Sequence, residues 1–577
     1  MKRIKNIFLV VLLFLNVSCS DNKQSERLFS YFLNRHVEQI KPINKKFNEA
    51  IWATYSGKSS FSELLTETRL TDSLYRNIGQ PTDYYQNLLN SVYDNSTDFE
   101  LLMKIRKSGL ISDVMLKRQF VDVFRNYITI QNNWDETDHK KTELYEQFFE
   151  LKKTESSFWD SIRQVKGANA RKEWIERFAF LTDDFREMII SMNSDASRLG
   201  YTNYYQLMME FNGVEYKRLD ELCRIVENET NEDYRKLLAI SQNEICTKFD
   251  IEPSEIQAQH YSYAIKKMVV PDEWQKKYTQ DECVGILDAF FAKGDYQIDD
   301  IIANSDLWYA DNKMNQSFFC NIDVEKSDHR IYANVMPSTI GIYTLLHEMG
   351  HAVHYKYVDQ KVPYLLKDPN EITTEAIAIY FNDKLYHSPT LRNMMGINDT
   401  VRSMYYQAFS DPTRLIFLRK LIRNIQFEKS IFENPTQDYT ALWWQLTQNY
   451  LLYEVQEEDH LPEWVSDQHI INASGIHVSY LYAFAFAAQL EVYFPDDNIA
   501  AVKDLVMKFG DTMDWNEILK NATGEDLNLN YLFNSYRLKN RSKVPIAFDV
   551  KIPSKFSFIE KRIDEGLIDR ELFTIQS

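Results

Sequence analysis

Glycine and proline are both scarce in this chain of 577 residues, with 15 and 14 residues respectively. Both disfavour the interior of an α-helix, and each is more frequent in an average globular protein. No stretch rich in glycine, serine or proline separates one part of the chain from another. The scarcity therefore predicts a mainly α-helical protein without flexible linkers between domains.

Basic residues are also in short supply. The chain has 66 Lys and Arg against 84 Asp and Glu, which gives a formal net charge of -18. A nucleic-acid-binding protein needs a basic face to displace the counterions around phosphate, so we expect no nucleic-acid partner. Aromatic residues are plentiful, with 35 Tyr and 35 Phe, and a chain of this length can bury them in a large core.

The start of the chain has no apolar run of the roughly 20 residues that span a bilayer. Its apolar run, Ile7 to Leu15, follows a basic start and precedes Cys19. This order resembles a bacterial lipoprotein signal, although Asn16 stands where that signal usually has Leu. We expect residues 1–18 to be a signal peptide and residues 19–26 to be a lipidated cysteine and its tether. The protein would then be exported and anchored to a membrane, in the periplasm or at the cell surface; an ordinary secretory signal is the alternative.

Cysteine is rare beyond Cys19, and the four others are widely spaced: Cys223, Cys246, Cys283 and Cys320. No pair has the close spacing of a zinc knuckle. Four cysteines allow three disulfide connectivities, and single buried thiols are equally compatible with the sequence.

The motif that carries chemistry is His347-Glu348-Met349-Gly350-His351. The apolar residues 340–346 lead into it without a proline, so the sequence predicts a helix through the motif. Positions four apart lie on one face of a helix, so both imidazoles can reach one metal ion. Glu348 can then contact an attacking water, as the general base does in zinc peptidases that carry this motif. The alternative, a surface helix with two incidental histidines, fits poorly with the apolar surroundings.

A third ligand should come from a following helix. Asp368 and Pro369 predict a helix start, with Asp368 as the N-cap residue and Glu371 as the carboxylate of a capping box. Glu375 lies one turn further, among apolar residues, where a buried carboxylate needs a partner. We therefore predict that His347, His351 and Glu375 bind one Zn²⁺ per chain, with Glu371 as the alternative third ligand.

Two segments with β-type composition precede the motif. Residues 317–322 and 330–335 are rich in aromatic and β-branched residues, and Lys326-Ser327-Asp328 lies between them. This pattern predicts a small β-hairpin near the metal site.

Around the motif the chain resembles the angiotensin-converting-enzyme family of peptidyl-dipeptidases. Glu375-Ala376 follows the second histidine of the motif by 24 positions, which is that family's spacing. Trp443-Trp444-Gln445-Leu446 with Tyr450 is similar to the family's WWxLxxxY pattern. His351-Ala352-Val353-His354 looks more like the sister group that contains thimet oligopeptidase and oligopeptidase F.

The resemblance implies a helical ellipsoid of two lobes, formed as one domain by residues 27–577, with a deep central substrate channel between the lobes. Narrow access to the channel implies short peptides as substrates. The resemblance also implies that Tyr482 and His469 are catalytic residues that stabilise the oxyanion. His477 and Tyr480 resemble the oligopeptidase F arrangement, and we expect them to bind substrate.

One departure from the family concerns the metal site. Ile379 stands where the family has an Asp that orients a zinc-binding histidine, and Asp383 is the candidate substitute.

A second departure concerns the grip on a substrate's terminal carboxylate. No lysine lies near His469, and Ser479 stands in place of a tyrosine, so the charge would have to come from elsewhere in the chain, for example from Lys420 or Arg423. We expect hydrolysis that releases C-terminal dipeptides. The alternatives are an endopeptidase of the oligopeptidase F type and a non-catalytic peptide-binding lipoprotein.

Overall fold

The structure is a computed structural model. It describes most of residues 30–58, isolated residues between 115 and 151, and residues 168–198, 200–258, 260–261, 276–311, 313, 316–397, 411–456, 459–495 and 498–535. The predicted signal peptide, the tether and Cys19 lie outside the described residues.

Helices dominate the described residues, which confirms the predicted mainly α fold. Their bounds in chain order are α1 (40–55), α2 (Ala168–Glu176), α3 (Leu181–Arg198), α4 (Tyr204–Phe211), α5 (Leu219–Phe249), α6 (Gln280–Ala292), α7 (Asp299–Asn304), α8 (Thr339–Lys356), α9 (Glu371–His387), α10 (Pro389–Met395), α11 (Asp411–Glu433), α12 (Tyr439–Leu446), α13 (Gln468–Asn472), α14 (Ile476–Tyr493), α15 (Ile499–Leu505), α16 (Trp515–Thr523) and α17 (Leu529–Ser535).

The described part of the chain has one small sheet, which lies in sequence between α7 and α8. Its strands are β1 (Asp306–Trp308), β2 (Phe318–Asp323) and β3 (Asp328–Val335), in the order β1-β3-β2. Strands β2 and β3 pair antiparallel, which confirms the predicted hairpin. Strand β1 pairs with β3 in parallel and was not predicted, because three residues are too short for a periodic pattern.

Helix α8 forms as the sequence predicts. The side chain of Ser338 accepts a hydrogen bond from the backbone N–H of Gly341 and so caps the first turn. Helix α8 packs closely against α9, and α9 packs against α14. At the contact of α8 with α9, a Cβ added to Gly350 would lie 2.7 Å from Cα of Ala378. Only glycine lets the two backbones approach this closely.

Helix α9 is buried along almost its entire length, from Ile372 to Tyr386. A helix that is enclosed on all sides needs no polar face, which explains the absence of an amphipathic pattern in this segment. Its start differs from the prediction. Asn370, not Asp368, is the N-cap residue, and its side chain accepts a hydrogen bond from the N–H of Ile372. Asp368 instead accepts a hydrogen bond from the Tyr355 hydroxyl.

Cys223, Cys246, Cys283 and Cys320 are free thiols, so none of the three possible disulfide connectivities is formed among them. No helix within the described residues combines the length and the apolar character needed to cross a bilayer.

Candidate metal centre

Two adjacent helices bring the three predicted metal ligands together. His347 and His351 project from α8, and Glu375 projects from α9. One candidate ligand atom from each of the three residues lies within 4.8 Å of the others. The helical spacing of the motif and the close contact of α8 with α9 therefore assemble one site.

The spacing of these atoms suits a small tetrahedral ion. Nε2 of His347 lies 3.6 Å from Oε2 of Glu375, and Nε2 of His351 lies 3.7 Å from Oε1. Two ligands bound to tetrahedral zinc at about 2.0 to 2.1 Å would lie roughly 3.4 Å apart. The described residues donate no hydrogen bond to the buried Oε2 of Glu375. The donor set and this unpaired oxygen both fit a zinc ion.

Each histidine contacts a polar side chain of α9 through its other ring nitrogen. Nδ1 of His351 lies 2.9 Å from Oγ1 of Thr374, and Nδ1 of His347 lies 3.3 Å from Nδ2 of Asn382. Oδ1 of Asn382 is buried and has no hydrogen-bond partner among the described residues. An Asn382 amide turned end for end would accept from Nδ1–H and satisfy this oxygen. Nε2 of both histidines would then be available for a metal.

The residue that contacts His347 is Asn382 and not Asp383, so the expectation for Asp383 is wrong. Asp383 is buried and forms an ion pair with Arg414. Asn382 follows Glu375 by seven positions, which places both on one face of α9. That helical spacing is the signal in the sequence that could have identified Asn382.

Burial drives all three candidate ligands towards their neutral forms. It lowers the pKa of His347 to about 4 and also lowers the pKa of His351. The pKa of Glu375 is raised, first by burial and then by the charges of Glu371 and Glu348. Neutral imidazole is the form that binds a metal, and a buried carboxylate without a cation is costly. The site therefore favours the presence of a cation.

Glu348 lies beside this trio and points into the same cavity. It is buried, and burial raises its pKa to about 8, although a hydrogen bond from the Phe319 backbone N–H opposes the rise. Phe319 belongs to strand β2, so the predicted hairpin contributes directly to the position of the candidate base.

Glu371 does not have the capping role that the sequence predicted. Its Oε2 accepts a hydrogen bond from the Ser479 hydroxyl at 2.6 Å and lies 3.5 Å from Nδ2 of Asn212. Helix α9 begins at Glu371 itself. Glu371 is therefore the first residue of the helix and not the third, which is the position that a capping-box glutamate occupies. Glu371 instead connects α9 to α14 beside the metal trio.

The trio and Glu348 open into a cavity of about 1030 Å³, which we call the metal cavity. A second cavity of about 670 Å³, which we call the adjoining cavity, also has His347 in its lining. Both are lined by Gln316, His347, Gln468, His469 and Tyr480. The two volumes together are large enough for a short peptide.

Tyr480 and Tyr482 occupy different environments. Tyr480 lines both cavities, and its pKa is raised by burial and by the charges of Glu375, Glu371 and Glu348. Tyr482 packs against Trp515, with ring centroids 5.2 Å apart, in the hydrophobic core. Two positions along a helix are separated by about 200° around its axis, so both tyrosines cannot face the metal cavity. The expected position of Tyr482 at the site is therefore wrong.

His469 and His477 both lie near Tyr480. His469 is about half-exposed and lines both cavities, with its ring centroid 5.8 Å from that of Tyr480. His477 is buried in the wall of the adjoining cavity, and both its ring nitrogens have polar neighbours. Burial lowers the pKa of His477, but Glu428 more than offsets this and the pKa is raised. His469 is thus the histidine more open to a substrate.

Two cationic residues of α11, Lys420 and Arg423, line the adjoining cavity. The Arg423 guanidinium lies 3.6 Å from the centroid of the Trp443 ring and donates hydrogen bonds to Asn424. The sequence did not place these residues near the metal trio, because α11 is distant from α8 along the chain.

Comparison with models of known protein families and with curated proteins finds no match to this chain.

Proposed function

We propose that this protein is a zinc-dependent peptidase that hydrolyses short peptides, with one Zn²⁺ per chain held by His347, His351 and Glu375. The observation that carries the proposal is the convergence of these ligands in a cavity, beside the buried carboxylate of Glu348. A structural zinc site would fill its fourth position with a protein ligand, usually cysteine. Within the described residues, the trio has no cysteine near it.

The ion would supply Lewis-acid chemistry, polarising the scissile carbonyl and promoting deprotonation of the attacking water. Glu348 accepts a proton from that water and passes it to the leaving amine. A neighbouring cation favours the ionised form of Glu348, which burial alone disfavours. Thr374 and Asn382 hold the two histidines in the required orientation.

Tyr480 is the donor to the developing oxyanion in this proposal, in the place first assigned to Tyr482. Its raised pKa keeps the phenol protonated, so the hydroxyl can donate. Such a donor contributes about 3 kcal/mol to transition-state stabilisation. His469, which is exposed to both cavities, contacts the substrate beside it.

The presence of Lys420 and Arg423 in the adjoining cavity supports release of C-terminal dipeptides. A substrate's terminal carboxylate needs charged donors when it leaves water. These two residues are the candidates for that role, in place of the lysine and tyrosine that the sequence lacks near His469. Endo-cleavage of oligopeptides remains the second candidate, since the two cavities together accept a longer chain.

The test is to express the chain from about Ser20 onward, supply zinc, and map the cleavage of defined peptides by mass spectrometry. Glu348→Gln keeps the size and hydrogen bonding of the side chain but removes the base. We expect near-normal zinc content and a loss of turnover of about 100- to 10,000-fold. Glu173→Gln, at an exposed position of α2, is the matched control and should keep full activity. Equal activity in the two variants would show that Glu348 is not the base, and no cleavage by the wild-type protein would leave a peptide-binding role.

A further inference from the structure

A second group of possible metal ligands lies in the adjoining cavity, outside the trio of α8 and α9. Ligand atoms of Asp467, His469 and His477 all lie within 4.8 Å of one another. Oδ1 of Asp467 lies 3.7 Å from Nδ1 of His469. The three residues come from the start of α13 and the first turn of α14, so two short segments assemble the group.

The surroundings of His477 match those of a metal-binding histidine. Its Nδ1 donates to Oε2 of Glu428 at 3.0 Å, and Oε1 of Glu428 accepts a hydrogen bond from the Gly475 N–H at 3.2 Å. Histidines that bind metals commonly donate their second ring nitrogen to a carboxylate in this way. Glu428 thus fixes the ring orientation and leaves the lone pair of Nε2 directed away from it.

One group competes for that lone pair. Nδ2 of Asn424 lies 2.9 Å from Nε2 of His477. Arg423 donates to Oδ1 of Asn424 at 3.0 and 2.9 Å, so the amide nitrogen is the end that faces His477. A metal ion must displace this N–H donor, and the nearby guanidinium opposes a second positive charge.

We propose that Asp467, His469 and His477 form a second metal site, weaker than the first, for a divalent transition-metal ion such as Zn²⁺. Two imidazoles and one carboxylate suit zinc and its neighbours in the first transition row rather than Ca²⁺ or Mg²⁺. Glu428 positions His477 in this site, and Asn424 limits the affinity. The inference concerns metal binding alone and does not depend on the proposed peptidase activity.

The first measurement is the number of zinc ions bound per chain, by equilibrium dialysis and by calorimetric titration of protein already loaded with one equivalent. We expect the wild-type protein to bind a second equivalent. His469→Ala should lose only the second ion, and because this side chain is half-exposed its melting temperature should stay close to wild type. His460→Ala, at an exposed position of the same region, is the matched control and should bind two.

The second measurement uses the neighbours of His477. Glu428→Gln should weaken the second site by about 10- to 100-fold. Asn424→Ala removes the competing donor and should strengthen the second site.

Glu375→Gln should lose the first ion and keep the second, which separates this proposal from the proposed active site. Uptake of a single equivalent by wild-type protein, or an unchanged second site in both His469→Ala and Glu428→Gln, would overturn the proposal. Weaker binding in Asn424→Ala would also count against it.

Discussion

Glu375 has a buried oxygen to which the described residues donate no hydrogen bond. Leaving such an oxygen unpaired costs several kcal/mol, and a metal ion removes that cost. Glu371 lies one turn away, but its carboxylate already accepts a hydrogen bond from Ser479. The sequence left both glutamates as possible third metal ligands. Their hydrogen bonds distinguish them, because only the Glu371 carboxylate accepts one from Ser479.

The ligand assignment predicts different metal retention in two matched variants. Glu375→Gln removes the charged ligand of the first site. After dialysis long enough to remove the more weakly bound second ion, zinc should fall from about one ion per chain in wild type to a small fraction in this variant. Glu371→Gln keeps all three ligands and should retain zinc close to the wild-type content. Atomic absorption of the dialysed proteins measures both. If the two variants keep equal amounts of zinc, Glu375 is not the third ligand.

The contacts of the ligand histidines lead to a second prediction at this scale. Asn382→Ala removes the group beside Nδ1 of His347 and should weaken zinc binding by about 10- to 100-fold. Asp383→Asn breaks the buried ion pair with Arg414 and should lower the free energy of unfolding by roughly 3 to 5 kcal/mol. Its zinc affinity should stay near wild type, as measured by competition with a chelator. Zinc loss in Asp383→Asn alone would restore the role that the sequence suggested for Asp383.

At the scale of elements, the contact between α8 and α9 sets the distance between the candidate ligands. The histidines belong to one helix and the glutamate to the other, so their separation depends on how closely the two backbones approach. Gly350 and Ala378 are the residues that permit this approach.

A methyl group at this contact should therefore affect both stability and metal binding. Gly350→Ala places a Cβ 2.7 Å from Cα of Ala378 and should destabilise the fold by about 1 to 3 kcal/mol, with weaker zinc binding. Gly285→Ala is the control, because Gly285 is an exposed position of α6 and a Cβ there meets no atom within 4 Å. That variant should be more stable by about 0.5 to 1 kcal/mol, with unchanged zinc binding. Chemical denaturation and zinc titration measure the two effects, and equal behaviour of the two variants would contradict the proposed helix contact.

At the scale of the whole molecule, the two cavities differ in charge. The described lining of the metal cavity contains acidic residues and no Lys or Arg, whereas the adjoining cavity has Lys420 and Arg423 together with Glu463 and Asp467. A peptide that crosses from one cavity to the other would therefore place its carboxylate end in the adjoining cavity.

This charge difference predicts a dependence on the free C-terminus of the substrate. Amidation of the C-terminus should reduce kcat/KM by about a hundredfold, equivalent to roughly 3 kcal/mol. Lys420→Gln should raise KM for the free acid and leave the amide unaffected. Lys429→Gln is the control: Lys429 lies on the same helix as Lys420 and pairs with Asp220 of α5. Equal cleavage of acid and amide at internal bonds would identify an oligopeptidase instead.

The predicted lipid anchor also concerns the whole molecule. If Cys19 is lipidated, the protein should be found in the membrane fraction and should require detergent for extraction. Cys19→Ser should move it to the soluble fraction, while Cys246→Ser, at a free thiol, should not. Recovery of both variants in the soluble fraction together with wild type would favour an ordinary secretory signal.

Local patterns in the sequence determined the helical fold, the hairpin and the HExxH helix, because each depends on the spacing of residues close together along the chain. The same spacing brought His347 and His351 to one face, and burial among apolar residues favoured Glu375. Only the tertiary structure decided that Tyr480 rather than Tyr482 lines the metal cavity, since helix α14 is apolar on all sides and its sequence does not indicate which face points to the cavity.

The roles of Asn382, Glu428 and Lys420 likewise depended on contacts between segments far apart in the chain. His477 and Glu428 are 49 positions apart, and His347 and Asn382 are 35 apart. Helical periodicity specifies which residues share a face but not which other helix that face contacts. The packing of α8, α9, α11 and α14 supplies that information, because it is determined by side-chain shapes across the whole core.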